Sequence, residues 1–488
     1  MMGSLAGGVF LMGFALQVLH ATATQVGLLA SLPLVANLVQ MLGSYIIEKT
    51  GRKKRLCTAS VIVSRSLWVL VILLPLALFN DLQDYRVWVL VAIIAVSSLF
   101  GSLAGVAWLS WMSDLVPPES RGSYFGRRNM IASFAGMVIT VVAGKFLTVW
   151  NEHFSESSPF GYIILFAVGL VFGLISSWFV SRMPEIESPV ERDGGGFTLS
   201  SFLLPLKERN FLALILFVSV WNFGIQIAGP FYNVYLIDYL KMSFSNIALL
   251  ATLSTLTTLV MMKIWGPISD KLGNRPIIVV STWVLIAIPF VWVAAAPGMA
   301  RVPLVIAFAL SGAFMAGASL SQFNILIKLS PPKGRSIYLA LFAAITGLSG
   351  AVAPVVGGLL IKSLDDVRLS LLGYRITDLH VIFLLSSAIQ LLSLGLMVAV
   401  REPSASTPMA VVMQLRNDLN PQTGIAGTAD FVLVELRRGR GILEHIDRRT
   451  EEIADRTEQS FGRLFGRVER RIRRPLFWLK RLFKDDED

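Results

Sequence analysis

Charge is scarce in this chain. Charged residues make up 15% of its 488 positions and hydrophobic ones 54%, where a soluble globular protein carries about 25% charged. That balance excludes an ordinary soluble domain and points to a membrane protein. Cysteine is rarer still. Cys57 stands alone, which excludes an internal disulfide framework and a cysteine-based zinc site. Four scattered histidines offer no metal cluster. No nucleotide-binding loop, catalytic triad or metal constellation is present, so neither an enzyme nor a cofactor is expected. The chain also lacks a basic leader and a cleavage site around its first apolar run. That run, Gly3 to Leu19, falls short of the roughly 20 residues a spanning helix needs, and the true start of the first helix is expected upstream.

What the chain does have is apolar length. Runs fall at 3–19, 25–47, 56–79, 87–112, 129–150 and 160–181, then at 209–236, 245–265, 277–296, 302–327, 337–361 and 379–400. They form two sets of six, divided by a polar stretch at 182–208 that contains Gly194-Gly195-Gly196. Hydrocarbon requires each span to satisfy its own backbone, and most gaps are too short for a domain, so the runs read as helices. Residues 401–488 are a different material, with 17 basic and 15 acidic residues.

A short charged turn organises the rest. Ser44-Tyr-Ile-Ile-Glu48-Lys49-Thr-Gly51-Arg52-Lys53-Lys54-Arg55 follows the second run, and its skeleton returns 222 positions on, at Gly266-Pro-Ile-Ser-Asp270-Lys271-Leu-Gly273-Asn-Arg275-Pro276. An acid at a helix end, a glycine that turns the chain and then cations suit a tight turn outside the bilayer. Two copies, each after the second run of its set, imply a duplicated bundle. A second pair supports the first. Ser113-Asp114-Leu-Val-Pro117-Pro-Glu-Ser-Arg121-Gly122 is partly repeated by Lys328-Leu-Ser-Pro331-Pro332-Lys-Gly-Arg335, 214 positions on.

The paired turns resemble the signature between helices two and three of the major facilitator superfamily, with its echo between helices eight and nine. The Asp114 stretch resembles the Asp-x-x-Pro-x-x-x-Arg-Gly element that sugar-porter members carry after helix four. The resemblance covers residues 1–400 and picks out no subfamily. It implies an all-α membrane protein of twelve transmembrane helices in two pseudo-symmetric six-helix bundles, 1–181 and 209–400. A central loop at 182–208 would join them, and a tail at 401–488 would follow. It also implies that Glu48, Arg52, Asp114 and Arg121 latch the helix ends of the first half together in one state of the transport cycle. In the second half Asp270 and Arg275 match the pattern, whereas Lys328 stands where the first half has Asp114. That latch is expected to be built differently, with Lys328 facing Asp270.

Orientation follows from lysine and arginine. The gaps at 48–55, 113–128, 182–209, 266–276 and 328–336 hold 17 of them, and the alternate gaps hold 6. By the positive-inside rule the signature turns, the central loop and both termini are cytoplasmic, in a cell membrane. This also accounts for much of the net charge of +11 without nucleic acid. In the tail, helices are expected through Glu435–Glu458 and Phe461–Phe483. The second carries Phe461, Leu464, Phe465, Val468 and Ile472 opposite a row of arginines, which suits anionic lipid. A solvated or partly disordered tail fits the same composition.

Polar groups inside spans are costly and point to function. In the superfamily, helices 1, 4, 7 and 10 line the central cavity with 2, 5, 8 and 11 beside them, so the candidates are sought there. Helix 7 carries Asn222, Gln226 and Asn233 on one face, with Trp221 alongside and a break expected at Gly229-Pro230. Helix 1 adds Gln17, helix 2 adds Asn37 and Gln40, helix 8 adds Thr252, Thr255 and Thr258, and helix 11 adds Thr346 and Ser349. No acid lies in the middle third of these helices, so no coupling group is visible. Arg65 lies deep enough in helix 3 to require a partner or water. Trp108 and Trp111 read as an interfacial belt. The Gly350…Gly358 stripe of helix 11 reads as close helix packing. Together these features are expected to give a secondary transporter for a small organic solute, monomeric, working by alternating access and favouring a neutral polar molecule such as a sugar. The alternatives are an exporter of amphipathic or drug-like compounds and a permease-like scaffold or sensor.

Overall fold

The computed structural model describes residues 2–75, 85–116, 121–154, 158–185, 204–295, 301–331, 335–364, 369–371, 374–403 and 405–419. The core of the central loop and the expected tail helices at Glu435–Glu458 and Phe461–Phe483 lie outside them. Among the described residues, eleven helices are long and apolar enough to cross a membrane, and a shorter apolar one precedes them. In chain order they are α1 (Met2–Val18), α2 (Ala23–Ile47, its last turn reaching Thr50), α3 (Lys53–Leu73), α4 (Arg86–Leu115), α5 (Arg121–His153) and α6 (Phe160–Arg182). The second set comprises α7 (Arg209–Tyr239), α8 (Phe244–Leu272), α9 (Arg275–Val293), α10 (Arg301–Leu329), α11 (Arg335–Ser363) and α12 (Asp378–Met397). A helix α13 (Pro408–Asp418) follows, and a small antiparallel hairpin, β1 (Leu369–Leu371) with β2 (Tyr374–Ile376), precedes α12. Beyond Val411 the chain forms a separate unit.

The helices alternate in direction, so their ends define two faces. The basic face carries the turns at Gly51 and Gly273, both with positive φ (64° and 85°), where a side chain would be strained. The opposite end is the far face. Within the first half α3 packs on α4 and α6, and α1 on α5 and α6. Within the second, α10 packs on α8 and α9, and α12 on α7 and α9. The halves meet along two seams, α2 against α11 and α5 against α8.

The duplication is visible atom by atom at the far face. Helix α1 ends in a π-turn at Phe14–Val18, and α7 ends in one at Tyr235–Tyr239. Each is followed two residues later by a non-glycine residue in the left-handed region, His20 (φ 54°) and Lys241 (φ 50°). Each is closed by a long-range turn bond, Ala21 N–H to the Ala15 carbonyl (2.8 Å) and Met242 N–H to the Leu236 carbonyl (2.9 Å). Each then starts the next helix from a hydroxyl cap, Thr22 accepting from the Gln25 amide and Ser243 from the Asn246 amide. Four matched features at a constant offset are a repeat of structure, not of composition.

Two expectations about helix shape change. No break occurs at Gly229-Pro230: α7 continues as α-helix through Pro230 to Val234, and the irregularity is the π-turn that follows. The π-turn does not depend on the proline, since α1 ends in the matching π-turn without one. In α2, Pro33 is followed by a 3₁₀ turn at Asn37–Val39, which puts the irregularity on a candidate site residue.

Candidate functional site

The seams close at the far face. A methyl placed on Gly358 of α11 would lie 2.6 Å from the carbonyl oxygen of Ala23 at the start of α2. A methyl on Gly144 of α5 would lie 2.7 Å from the carbonyl oxygen of Phe244 at the start of α8. Both positions therefore hold a helix start against a glycine of the other half. Polar contacts reinforce the approach. Thr24 Oγ1 donates to the Gly358 carbonyl (3.3 Å), and the Ser245 amide donates to Thr148 Oγ1 (3.0 Å). Phe244 also packs on Phe10 and Tyr162, with centroids 6.3 and 6.1 Å apart.

Toward the basic face the halves part. The 3₁₀ turn of α2 still packs on α11, but past Gln40 the helix lies against α4 of its own half. Leu42 and Tyr45 there are each 60% exposed. On the other seam a cavity of about 580 Å³ opens between α1, α5 and α8. Among the described residues its polar lining is Ser4, Asn129, Ser133, Thr140, Thr252 and Thr255, and none of these is charged.

The amides predicted to hold solute fall into three groups. Asn222 donates from Nδ2 to the Thr346 carbonyl of α11 (2.9 Å), and Gly350 leaves the room that amide occupies. Trp221 beside it is buried, with an indole N–H that meets no acceptor among the described residues. Gln226 is half-buried one turn on. Asn37 is exposed, and its carbonyl accepts from Gln40 Nε2 (3.0 Å) and Ser102 Oγ (3.2 Å). Gln17 stands apart: its carbonyl accepts from the Tyr162 hydroxyl of α6 (2.8 Å), within the aromatic packing of Phe14 and Phe166. The hydroxyls of Thr255, Thr258 and Thr346 bond back to carbonyls of their own helices. That of Thr252, on the cavity wall, is buried without a partner among the described residues.

The basic-face charges are arranged differently from the expectation. Asp114 pairs with Lys53 at 2.5 Å, joining the end of α4 to the start of α3. The side chains of Glu48, Arg121 and Arg335 lie outside the described residues. Lys328 does not face Asp270, which is exposed on α8; it pairs with Glu402 at 2.9 Å. Glu402 also accepts from the amides of Asn274 (2.9 Å) and Arg275 (2.7 Å) and from Asn274 Nδ2 (3.0 Å). A carboxylate at the first amides of α9 satisfies donors that a helix start leaves open. Sequence reading passed over Glu402 because it sits 127 positions from Arg275, in what looked like tail. Burial pushes its carboxyl up, yet the bonds from Arg275, Asn274 and Lys328 prevail and hold it below its ordinary value.

Three further residues find structural places. Arg65 donates to the Gly173 carbonyl and to Ser177 Oγ (2.6 Å) of α6, so its partner is a neighbouring helix. Trp111 is not part of an interfacial belt. It is fully buried with Cys57, Ile47 and Met112, and its indole donates to the Pro184 carbonyl (3.2 Å). Trp108 lies under the Arg128 guanidinium, 4.2 Å from the ring centroid. The glycine stripe of α11 does serve close packing: Gly350 faces Asn222, Gly357 faces α7 and Gly358 faces α2.

A family model described as Major Facilitator Superfamily matches residues 1–232 and 222–438. No curated protein matches the chain by sequence. Among solved structures the chain is similar to the nucleoside transporter NupG, with TM-score 0.65, 13% identity and coverage of 82% of this chain and 96% of that one. It is similar to a bacterial homologue of the iron transporter ferroportin in an inward-facing state (TM-score 0.60, 15% identity, coverage 80% and 94%). It is also similar to the inward-open xylose transporter XylE from E. coli (TM-score 0.57, 16% identity, coverage 84% and 95%). Their named cargoes differ widely, so the shared architecture does not choose a solute.

Proposed function

The chain belongs to the major facilitator superfamily, a multi-pass membrane transporter and not an enzyme, and from that premise we propose that it carries a small neutral polar solute, of which a sugar is the leading case. The observation that carries this reading is the hydroxyl and amide lining between α5 and α8, uncharged among the described residues, in a cavity of about 580 Å³, a size suited to a small organic molecule. An ionic solute would be expected to meet a countercharge there. Asn222, Gln226, Asn37 and Gln40 extend uncharged polar groups to the other seam, with Trp221 buried beside Asn222.

Closed at the far face and parted at the basic face, the chain represents one limit of alternating access. With the basic face cytoplasmic, as the 17-to-6 cation bias supports, this limit is inward-open, the state in which two of the similar structures were determined. The charges Glu48, Arg52, Asp114, Arg121, Asp270 and Arg275 would close that face in the opposite limit. Flux of radiolabelled sugars and of amphipathic cations into proteoliposomes tests the reading. Uptake of a sugar with no uptake of the cations supports it, and cation flux alone overturns the solute class. Single-cysteine labelling in a Cys57→Ser background tests the orientation: reaction of position 53 with an impermeant reagent in intact cells would reverse it.

A further inference from the structure

Left-handed backbone occurs at both faces, and the chain treats it differently at each. At the basic face the turns use Gly51 and Gly273, the residue type that takes a positive φ with no steric cost. At the far face the turns after α1 and α7 hold His20 (φ 54°) and Lys241 (φ 50°) in that region instead. A side chain makes the region costly. Both of these side chains are exposed, so their packing does not offset the cost.

What holds them lies on either side. Upstream, each π-turn is fixed to its own half by a matched aromatic cluster. Phe14 packs on Tyr162 and Phe166 of α6 (5.7 and 5.4 Å between centroids), and Trp68 of α3 meets Phe166 (5.5 Å). Tyr235 packs on His380 and Phe383 of α12 (5.4 and 5.5 Å), and Trp292 of α9 meets Phe383 (6.0 Å). The polar ties correspond too: Tyr162 bonds Gln17, and His380 Nε2 lies 3.0 Å from the Tyr235 hydroxyl. Downstream, the next helix starts against the other half, Ala23 at Gly358 and Phe244 at Gly144. Each left-handed residue therefore joins a turn anchored in one half to a helix start that leans on the other. Strained backbone persists only while its surroundings over-determine it, and one of the two supports exists only in the closed far face.

We propose that His20 and Lys241 are strained joints, held left-handed while the far face is closed and relaxed when it opens. Their strain counts against the closed far face and opposes the two glycine seams, which keeps the two limits of transport close in energy. The joints act on the moving halves alone, whatever the solute and whichever face is cytoplasmic.

The test uses the full chain in nanodiscs, in a Cys57→Ser background, with spin labels on the far-face ends of α2 and α11 or of α5 and α8. His20→Gly and Lys241→Gly remove the strain, and each should raise the ratio of closed to open far face at least about fivefold. His20→Ala and Lys241→Ala keep the strain but remove the rest of the side chain, including the Lys241 charge that acts on Asp238. They should stay within roughly twofold of wild type. If wild type is already wholly closed at this face, His20→Val and Lys241→Val supply the readout, because a branched side chain tolerates the region worst and should lower the ratio. A glycine or valine shift in the stated direction, with alanine unmoved, supports the proposal. Equal shifts from glycine and alanine would trace the effect to the side chains. No shift from either glycine or valine would mean that both states bear the strain alike. Either result would overturn it.

Discussion

At the far face, Gly144 of the first half stands against the Phe244 carbonyl as Gly358 of the second stands against that of Ala23, and the two approaches agree within 0.1 Å (2.7 and 2.6 Å). At the basic face the halves follow separate plans. The first half ties α3 to α4 through Lys53 and Asp114 and buries Trp111 with Cys57 behind them. The second half brings the chain back after α12, so that Glu402 caps α9 and takes Lys328, and Ser406 donates to the Leu272 carbonyl (2.8 Å). The difference teaches where duplication constrains a carrier. Two seams that must open and shut together need matched contacts. Helix ends that move with their own half need a tie of some kind, and any suitable chemistry serves.

The largest expected effect breaks the second-half tie. Glu402 is 6% exposed on its side chain and takes bonds from two amides, a side-chain amide and Lys328. Glu402→Ala strands those donors and should lower thermal stability in detergent by on the order of 3 kcal/mol, read as the unfolding midpoint. Little of this belongs to Lys328, whose side chain is 52% exposed, so Lys328→Ala should cost well under half as much. Acid gives an independent check. The carboxyl sits lower in the folded state than its ordinary 4.5, so its stabilisation is full above that value and is lost as pH falls through the lower folded one. Wild type should weaken over that window, and Glu402→Gln should respond less.

Next in size is the far-face symmetry. Gly144→Ala and Gly358→Ala each place a methyl within 2.7 Å of a facing carbonyl oxygen, and overpacking of this kind costs about 1–3 kcal/mol. The cost falls on the closed far face alone, so the ratio of states should move about five- to 150-fold toward opening there. Spin-label distances between α2 and α11 would measure it. Equal shifts in the two variants sharpen the parallel between the seams. A shift from one glycine and none from the other would break it.

These contrasts also mark what the sequence made legible. Twelve apolar runs, the two glycine turns and the family could be read directly, because hydropathy and turn chemistry are local. The packing role of the Gly350…Gly358 stripe was legible for the same reason. Glu402 was not: a helix cap formed across more than a hundred positions leaves no periodic trace. Trp111 was misplaced because position along a helix gives depth in the bilayer but not which side faces lipid. Gln17 was legible as a costly polar group, but its partner Tyr162 lies on another helix.

A smaller effect concerns the solute. Removing one hydrogen-bonding partner of a buried polar ligand costs about 1–3 kcal/mol, roughly ten- to a hundredfold in affinity. Asn222→Ala also gives up its bond to α11, so stability must be measured alongside binding, whereas Gln226→Ala is the cleaner variant. Weakened binding in both, with intact folding, places the solute on α7. Unchanged affinity in both would move it to the α5–α8 cavity, where Thr252→Val would become the decisive change.

The smallest expected effect tests whether the first-half charges do more than set topology. In the present state Asp114 is paired with Lys53, and their side chains are 28% and 13% exposed. Such pairs are worth about 0–1 kcal/mol, so neither Asp114→Asn nor Lys53→Gln should impair folding. Their effects on the balance of states should differ in sign. Lys53→Gln removes a contact made while the basic face is open, and so favours closing it. Asp114→Asn also removes whatever Asp114 meets when that face closes against the second half, and there the group is less hydrated and its contacts count for more. Two states of similar energy respond steeply, since about 1.4 kcal/mol is tenfold in their ratio. Asp114→Asn should therefore raise the basic-face-open fraction by a few-fold and slow transport, with solute affinity unaltered, while Lys53→Gln should lower that fraction. Distances between spin labels on the basic-face ends of the two halves would separate the two. If both variants leave the distribution unaltered and flux normal, the ion pair only joins α3 to α4, and the two halves would then differ at this face in how tightly they are tied and not in how they move.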